Sequence, residues 1–294
     1  MKCSIGIFAY NEERNIGKIL DAILNQNLNQ AELEEIFVVA SGCTDKTVNI
    51  AKEFEQRDRR IKIILQKKRE GKYSAINLFL KSSKNDMLII ESADTVPDNN
   101  AIENLIMPFA DPAVGMTGAR PVPADSQNNF MGYCVNLLWD IHHQISLISP
   151  KMGEMVAFRK VFDEIPKTAV DEACIEALIK SKGYNIVYVP EAIVRNKGSE
   201  ILTDFLRQRR RIHAGHLQLK TETGHDVSTT GTARLFSCLL KTKVGKDLPA
   251  WKRYAYMLGA IFIEGLARIL GAYDYKIIRK DHSIWAVSES TKKI

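Results

Sequence analysis

The feature that most constrains the fold is a repeated alternation of short apolar runs with amphipathic segments in the N-terminal third of the chain. The apolar runs have the length and β-branched content of buried strands, and they are residues 4–9, 36–40, 61–65 and 87–90. After each of the first three runs, apolar side chains recur at helical spacing, as in Ile16, Ile19 and Ile23. This order predicts an α/β fold with a mostly parallel, Rossmann-like sheet flanked by helices on both faces.

Polar residues follow each predicted strand. They are Tyr10, Asn11 and Glu12, then residues 41–45 with Ser41 and Asp45, then Gly71 and Lys72, and finally Glu91, Ser92 and Asp94. Because the carboxyl ends of parallel strands meet at one edge of a sheet, these turns should form one ligand site. Acceptors for a base and ribose, a lysine for phosphate and acids for a metal together predict a nucleotide-diphosphate site.

Two glycine-rich phosphate motifs are missing from these turns. Neither G-x-G-x-x-G nor G-x-x-x-x-G-K-[ST] occurs there, so dinucleotide binding and P-loop chemistry are not supported. A nucleotidyltransferase would likewise need a glycine-rich loop near the first strand, and the segment YNEERN offers none.

The stretch IIESADTVPD, residues 89–98, places the carboxylates of Glu91 and Asp94 at the end of a strand. Hard oxygen ligands suit Mg²⁺ or Mn²⁺, so this pair predicts a divalent cation that bridges carboxylate and diphosphate. A solvated acidic turn is the alternative, since Ser92-Ala93-Asp94 has one of the two aspartates of an Asp-x-Asp site.

Charge is distributed unevenly along the chain. The net charge is +6, but the segment from Arg207 to the end has 17 Lys and Arg against 7 Asp and Glu. A basic excess confined to one region is typical of a surface that faces phosphates or anionic lipid.

The five cysteines are scattered, without a C-x-x-C pair, which is typical of a reducing compartment. The first predicted strand begins at Ile5, without the basic and apolar regions of a signal peptide. Both features predict the cytoplasm.

Four segments carry a family resemblance. In order and spacing, YNEE, SGCTD, GKYSAIN and SADTVPD resemble the nucleotide-binding half of family 2 glycosyltransferases of GT-A fold. Farther along, Val170-Asp171-Glu172, KGYNIVYVPEA and RQRRRI resemble the Glu-Asp, Gly-Tyr and Gln-x-x-Arg-Trp segments of that family. The resemblance covers residues 3–216 and implies a catalytic domain over residues 1–216, followed by a helical extension over residues 217–294.

The resemblance implies roles for individual residues. Asp94 would hold a Mn²⁺ or Mg²⁺ ion with Glu91 assisting, and Glu172 or Asp171 would be the catalytic base. The nucleotide sugar would lie against Tyr10, Asn11, Glu12, Ser41, Asp45, Lys72 and Ser92, and the diphosphate and acceptor against Gly153, Glu154, Gln208, Arg210 and Arg211. For the acidic pair, the alternative is a helix N-terminus whose dipole Asp171 and Glu172 complement.

Four departures from the family pattern favour a rival interpretation. Ala40-Ser41 stands where the family usually has two acids, Ser92 replaces a metal-site aspartate, Asp171-Glu172 inverts Glu-Asp, and Ile212 replaces a tryptophan. They are consistent with a binding or scaffolding protein that keeps the fold without turnover.

Arginines cluster at Arg207, Arg209, Arg210 and Arg211, in a helix predicted to begin near Ser199. They cover most of the helix circumference, so some must face inward and need an anionic partner, for which diphosphate is the candidate. Without interleaved aromatic side chains, nucleic acid is not an expected partner.

Asp140, His142 and His143 also fall on a predicted helix. Adjacent side chains on a helix point about 100° apart, so the histidines cannot both bind one ion well. A structural or acceptor-lining role is expected.

The C-terminal part combines a polar loop, residues 221–232, expected over the acceptor site, with an apolar run, residues 254–270. That run is too short and too charged, with Glu264 and Arg268, for a membrane span. Basic residues flank it, so we expect residues 241–280 to contact the inner face of the cell membrane peripherally. Packing on the catalytic domain or in a homo-oligomer is the alternative.

The sequence therefore predicts a cytoplasmic, metal-dependent inverting glycosyltransferase. It would move a sugar from a nucleotide-diphosphate donor, with UDP as the expected nucleotide, to a lipid-linked or polysaccharide hydroxyl.

Overall fold

A computed structural model describes residues 1–227, 232–284 and 289–292. Its centre is an eight-stranded sheet with the order β3-β2-β1-β4-β7-β6-β8-β5. The strands are β1 Lys2–Ala9, β2 Glu32–Ser41, β3 Ile61–Gln66, β4 Met87–Ser92, β5 Thr95–Pro97, β6 Val114–Pro123, β7 Val156–Arg159 and β8 Asn185–Asn196.

The described helices lie on both faces of this sheet and beyond its end. They are α1 Ile16–Leu24, α2 Thr47–Arg57, α3 Lys72–Ser82, α4 Ala101–Ile106, α5 Phe130–Ser146, α6 Asp171–Ser181, α7 Leu202–Thr223, α8 Thr232–Lys241 and α9 Ala250–Tyr273. Short 3₁₀ turns at Met107–Ala110 and Glu289–Thr291 and a π-helical turn at Asp274–Ile278 complete the secondary structure of the described residues.

The N-terminal strands pair as the sequence predicts. Strand β1 lies between β2 and β4, β2 also pairs with β3, and all three pairings are parallel. In register, Ile7 lies beside Val38 on one side and Glu91 on the other. The turns after β1, β2, β3 and β4 therefore lie at one edge of the sheet, which we call the C-terminal edge.

The remaining strands make the sheet mixed. Strand β7 is antiparallel to both β4 and β6, and β5 is antiparallel to β8, whereas β6 and β8 are parallel. Antiparallel strands added to a parallel core are common in sheets of this size. The predicted α/β class is confirmed, with a larger antiparallel share than the alternation of the first strands suggested.

Apolar side chains fill both faces of the sheet. One cluster joins Ile7 and Val38 to helices α1, α2 and α4, and the other packs α3 and α6 against the opposite face. In the second cluster the buried Phe79 ring lies edge-on to Phe8, at 6.2 Å, and to Phe37, at 5.6 Å. Because helices cover both faces, ligands reach the sheet only from its edges.

A third apolar cluster joins α5, α7 and α9 beside the C-terminal edge. Ala260, Ile263, Ala267 and Gly271 recur at helical spacing on α9, and they are its buried residues. A Cβ on Gly271 would lie 2.6 Å from the backbone oxygen of Arg210, so only glycine allows α9 to approach α7 this closely. The C-terminal extension is thus packed on helices α5 and α7.

Helix α9 is longer than the apolar run in the sequence. It has 24 residues, against the 17 of residues 254–270, because Ala250–Arg253 and Gly271–Tyr273 continue the helix. By length and composition alone the segment Ala250–Ile278 could cross a membrane, a test that core helices of soluble proteins also pass. The helix as folded is therefore longer than the apolar run on which the expectation about spanning was based.

Two other expectations for the C-terminal part need adjustment. Residues 221–223 of the expected loop continue helix α7, and residues 228–231 of that loop lie outside the described residues. The boundary expected between residues 216 and 217 falls inside α7, so the helix itself links the two parts of the chain.

Candidate active site

A cleft of about 1170 Å³ opens at the C-terminal edge of the sheet. Its walls come from the turns after β1, β2 and β4, from the first residues of α3 and α6, and from α5, α7 and the C-terminal extension. Most of the side chains expected at the site line this cleft: Tyr10, Glu12, Ser41, Lys72, Ser92, Asp94, Gly153, Glu154, Asp171, Glu172, Gln208, Arg210 and Arg211.

Three expected site residues do not line the cleft. The Asn11 side-chain oxygen accepts a hydrogen bond from the Thr44 backbone N–H at 2.8 Å, and the Asp45 carboxylate accepts from the Thr47 backbone N–H at 3.0 Å. Glu91 is fully buried, and its carboxylate accepts the Thr95 hydroxyl at 2.9 Å. These hydrogen bonds hold the turns around the cleft.

The central contact of the cleft is an ion pair between Lys72 and Glu172, with 2.7 Å between Nζ and Oε1. Lys72 is the first residue of α3, and Glu172 is the second residue of α6. Burial alone would raise the pKa of Glu172, but the charge and hydrogen bond of Lys72 lower it. Glu172 is therefore an anion, and it is held beside the residues expected to bind phosphate.

Backbone conformation explains the Gly71-Lys72 pair. Gly71 precedes α3 with a φ of 96°, a left-handed conformation that favours glycine. A Cβ there would lie 2.6 Å from the backbone oxygen of Ser283, so glycine also makes room for the C-terminal extension.

Carboxyl groups crowd the rest of the cleft. Burial, with the neighbouring charge of Asp94, raises the pKa of Glu12 and of Glu154 to about 7. Burial also raises the pKa of Asp94 and of Asp171, although Lys72 opposes the rise in both. More negative charge is gathered here than the nearby cations balance, so the cleft favours protons or other cations.

These carboxylates meet the requirements of a cation shared with a diphosphate. Within the described part of the chain, no three His, Cys, Asp or Glu side chains lie close enough to hold a metal by themselves. Mg²⁺ is usually bound through one or two carboxylates together with substrate phosphates and water. Asp94 is desolvated and lines the cleft together with Glu154, so it fits that pattern, whereas a closed site made of protein ligands alone does not.

The arginines of α7 have different partners. Arg209 forms a two-point ion pair with Glu264, at 2.8 and 3.0 Å, and Arg210 pairs with the buried Asp274. Arg211 donates to the backbone oxygen of Ala169 at 2.8 Å, and its charge acts on Asp171 and Glu172. The inward-facing arginines therefore have anionic partners. For Arg209 and Arg210 the partner is a carboxylate of the extension, whereas the sequence predicted a diphosphate.

Lys292 is a cleft residue that the sequence does not reveal. Its ammonium group lies 3.2 Å from the Glu12 carboxylate and donates to the backbone oxygens of Tyr10 and Asn11 at 2.7 and 2.6 Å. No motif marks this lysine in the sequence. Only the return of the extension to the C-terminal edge brings it there.

Arg69 also belongs to this end of the cleft. Its guanidinium lies 4.4 Å from the centre of the Tyr10 ring, a cation–π distance. Arg69 follows Lys67-Lys68 after β3, and that basic run was the available sequence signal.

The two adjacent histidines have structural surroundings. His142 is buried with its ring 5.1 Å from that of Trp139, and burial lowers its pKa to about 3. The His143 ring nitrogen lies 2.9 Å from the Tyr188 hydroxyl. Both rings also lie near the Tyr188 ring, at 6.3 Å for His142 and 5.8 Å for His143.

A family comparison agrees with this geometry. Residues 4–170, more than half of the chain, match the family described as glycosyl transferase family 2. The chain belongs to this family. The match includes β1 to β7 and ends just before Asp171, so the acidic pair and the helices that follow it lie outside the matched segment.

Individual relatives are more distant. The chain is 28% identical over 117 residues to glycosyltransferase AglE of Haloferax volcanii, a match that covers 40% of this chain and 38% of AglE. It is 25% identical over 215 residues to the O-antigen chain rhamnosyltransferase RfbN of Salmonella typhimurium, covering 67% and 66% of the two chains. The matches therefore span less than two thirds of these relatives.

Among solved structures, the fold is similar to that of mannosyltransferase PcManGT from Pyrobaculum calidifontis, which was determined in complex with GDP-Man and Mn²⁺. The TM-score is 0.66 at 16% sequence identity, and the alignment covers 95% of this chain and 88% of the other. This similarity confirms the predicted GT-A fold and extends through the C-terminal helices.

The crowded carboxyls predict a stability that depends on pH. The folded-state pKa of Glu154, about 7, lies above the ordinary value of 4.5. Its contribution to stability is therefore complete below pH 4.5 and is lost as the pH rises through about 7. Without divalent cations, Glu154→Gln should raise the melting temperature at pH 8 by several degrees, since 1 kcal/mol corresponds to about 2–4 °C.

At pH 5, differential scanning calorimetry should find little difference between Glu154→Gln and the wild type. Glu53→Gln, a change at an exposed position of α2, is the control and should leave the melting temperature unchanged at both pH values. A Glu154→Gln protein that is less stable than the wild type at pH 8 would contradict this account of the cleft.

Proposed function

We propose that the protein is a metal-dependent inverting glycosyltransferase that uses a nucleotide-diphosphate sugar. The observation that supports this most strongly is the meeting of Asp94, Lys72 and the Asp171–Glu172 pair in one cleft at the C-terminal edge. Transfer with inversion needs a cation site for the leaving diphosphate and a carboxylate for the acceptor proton, and this cleft offers both.

The donor nucleotide would lie over the turns after β1 and β2. Tyr10, backed by the Arg69 guanidinium, offers an aromatic face for the base, and Glu12 and Ser41 offer acceptors for ribose hydroxyls. Uridine is the nucleoside that the family resemblance implies. Ala40 and Ser41 stand where the family usually has two acids. The nucleobase is therefore the part of the donor that the sequence constrains least.

Asp94 would hold the divalent cation, since its carboxylate enters the cleft and that of Glu91 does not. When bound, the cation would stabilise the negative charge that develops on the departing diphosphate. Lys72 and Arg211 are cations of the same cleft and would bind the diphosphate as well. Gln208 lies on the cleft wall beside them and would close on the acceptor.

Glu172 would be the base that takes the proton of the acceptor hydroxyl. Its side chain is 21% exposed, whereas Asp171 is 2% exposed, so Glu172 is the carboxylate that an acceptor can reach. Lys72 lowers the pKa of Glu172. If Lys72 turned toward a bound diphosphate, that pKa would rise, and the base would gain proton affinity when the donor is present.

The reaction would be a single displacement. The acceptor oxygen forms a bond to the anomeric carbon while the bond from that carbon to the diphosphate oxygen breaks, and the hydroxyl proton passes to Glu172. Gly153 and Glu154 line the same cleft as Lys72 and would contact the sugar.

The C-terminal extension would place the cleft at a membrane. On α9, Trp251, Leu258 and Phe262 are 65–74% exposed. Lys252 and Arg253 lie in the first turn of this helix, and Lys276, Arg279 and Lys280 follow its end. An apolar face between cations suits the cytoplasmic surface of an anionic bilayer. We therefore propose peripheral contact through residues 241–280 and a lipid-linked or glycan acceptor.

A binding protein without turnover is the second candidate. It is favoured by Ser41, whose hydroxyl already donates to the Gln66 side chain at 2.5 Å, and by the neutral Ser92 at the expected metal site. Such a protein would bind nucleotide but would not transfer sugar.

Metal-dependent nucleotide binding is the first test. Isothermal titration with UDP and, in parallel, GDP should give binding in the presence of Mn²⁺ and at least about tenfold weaker binding in Asp94→Asn, because a cation ligand is lost. Asp98→Asn, an acid outside the cleft that pairs with Arg195, is the matched control and should bind as the wild type does. If neither nucleotide binds with Mn²⁺, the transferase proposal fails.

The identity of the base is the second test. Glu172→Gln should lower kcat by about 10²- to 10⁴-fold, since general base catalysis is lost, while donor affinity changes little. Asp171→Asn should have the smaller effect on kcat. Nucleotide release from a panel of donor sugars, with and without glycan acceptors, measures both, and the reverse ranking would assign the base to Asp171.

Membrane contact is the third test. Flotation with vesicles of 70% phosphatidylcholine and 30% phosphatidylglycerol should recover the wild type at low salt and less of it at 0.5 M salt, because screening weakens the basic contacts. The double change Leu258→Glu and Phe262→Glu should abolish flotation, whereas Leu65→Glu, at an exposed site on β3, should not. A wild type that stays unbound and sediments as a dimer would favour the oligomer instead.

A further inference from the structure

One part of the cleft wall is formed by Lys151 together with side chains of the C-terminal helices. We call this part the basic chamber. Its polar walls carry Lys151, Arg209, Arg268 and Glu264, and its apolar walls carry Leu206 of α7, Leu235 and Leu239 of α8, and Ala260 and Ile261 of α9. None of these residues has a role in the donor chemistry described above.

Positive charge in the basic chamber exceeds negative charge. Glu264 accepts from the Arg209 guanidinium at 2.8 and 3.0 Å and from Arg268 Nε at 2.9 Å, so two cations share one carboxylate. The Lys151 ammonium has no hydrogen bond or ion pair with any residue that the structure describes. Three cations therefore face one anion.

Neighbouring groups do not supply the missing negative charge. The nearby acid Glu176 acts on Lys151 through its charge without a direct contact, and it is already paired with Lys180, at 2.9 Å, and with the His225 ring, at 3.1 Å. The histidines of this region, His142, His213 and His216, have pKa values lowered by burial first and by the surrounding cations, so they are neutral at physiological pH. The excess of about two positive charges remains.

The electrostatics of Lys151 reflect this imbalance. Burial, followed by the charge of Arg209, lowers the pKa of Lys151 to about 8. A desolvated cation without a partner is unfavourable, and an anion with several acceptor oxygens would relieve the cost. A phosphate group carries about the charge that is missing here.

The apolar walls of the chamber indicate that the ligand also has an apolar part. They lead from Leu206 and Ile261 to α8, where Phe236 and Leu240 are 63% and 72% exposed. A ligand with an anionic group at Lys151 and a hydrocarbon chain along α8 and α9 would satisfy both the charge and the apolar surface. A soluble phosphorylated sugar would leave the apolar walls in water.

We propose that the basic chamber binds a phosphate-bearing amphiphile, with the phosphate at Lys151, Arg209 and Arg268 and the hydrocarbon chain along α8 and α9. The inference rests on the proposed function, because the chamber and Glu172 belong to the same cleft and the ligand would then be the acceptor. The phosphate would join the lipid to the group whose hydroxyl receives the sugar. Binding itself requires neither donor nor turnover.

The test is calorimetric titration of the full chain, without nucleotide or metal, with three probes below their micellar concentrations. Decyl phosphate has both features, inorganic phosphate has the anion alone, and decyl maltoside has the chain alone. We expect decyl phosphate to bind at least about tenfold more tightly than either of the others, a difference of about 1.4 kcal/mol. Equal binding of inorganic phosphate overturns the lipid assignment, and equal binding of decyl maltoside overturns the anion site.

Variants locate the site. Lys151→Gln and Arg268→Gln should each weaken the binding of decyl phosphate about tenfold. Lys52→Gln, at an exposed position of α2, should leave the affinity unchanged. Calorimetric melting verifies that each variant is folded, and Arg268→Gln provides a second measure if Lys151→Gln is unstable. Unchanged affinity in both folded variants overturns the proposal.

A competition experiment separates this inference from the proposed function. UDP with Mn²⁺ should not displace decyl phosphate, and Lys151→Gln should bind UDP as the wild type does. Displacement by UDP would mean that decyl phosphate binds in the donor site. That result would contradict the proposed lipid site in the basic chamber but not the proposed transferase activity. Binding of decyl phosphate by a protein that binds no nucleotide would support the chamber while the transferase proposal fails.

Discussion

The ion pair between Lys72 and Glu172 is the contact on which the rest of the cleft depends. Several carboxyls converge at one sheet edge, and burial raises the pKa of most of them, including Glu12 and Glu154. Glu172 is the exception, since Lys72 lies 2.7 Å away and keeps it ionised. One lysine thus links the turn expected to bind phosphate with the acidic pair at the start of α6, and a bound diphosphate would compete for it.

Ion pairs of both polarities hold the extension against the cleft. Lys292 reaches Glu12 at one end of the cleft, while Arg209 and Arg210 are held by Glu264 and Asp274 at the other. These contacts turn the extension into part of the cleft wall. Negative charge is concentrated near the sheet and positive charge near α7 and α9, an arrangement that suits a cation at one end and an anion at the other.

Several features could be predicted from the sequence because they depend on neighbours in the chain. The strand–turn–helix order fixed the parallel pairing of β1 with β2 and β4, and with it the common edge of the turns. Other features could not. Asn11, Asp45 and Glu91 have suitable chemistry at suitable positions, yet each is used to hold its turn, because side-chain direction at a strand end depends on local packing.

The sequence by itself determined the fold class, the edge at which the site lies and most of the residues gathered there, since hydrophobic periodicity and strand order are local properties. Tertiary structure decided which charged side chains form ion pairs. Arg210 pairs with Asp274 because α9 packs against α7. Lys292 pairs with Glu12 because the chain then returns to the first strand. Charges so far apart in sequence meet only through that packing, and no spacing rule encodes it.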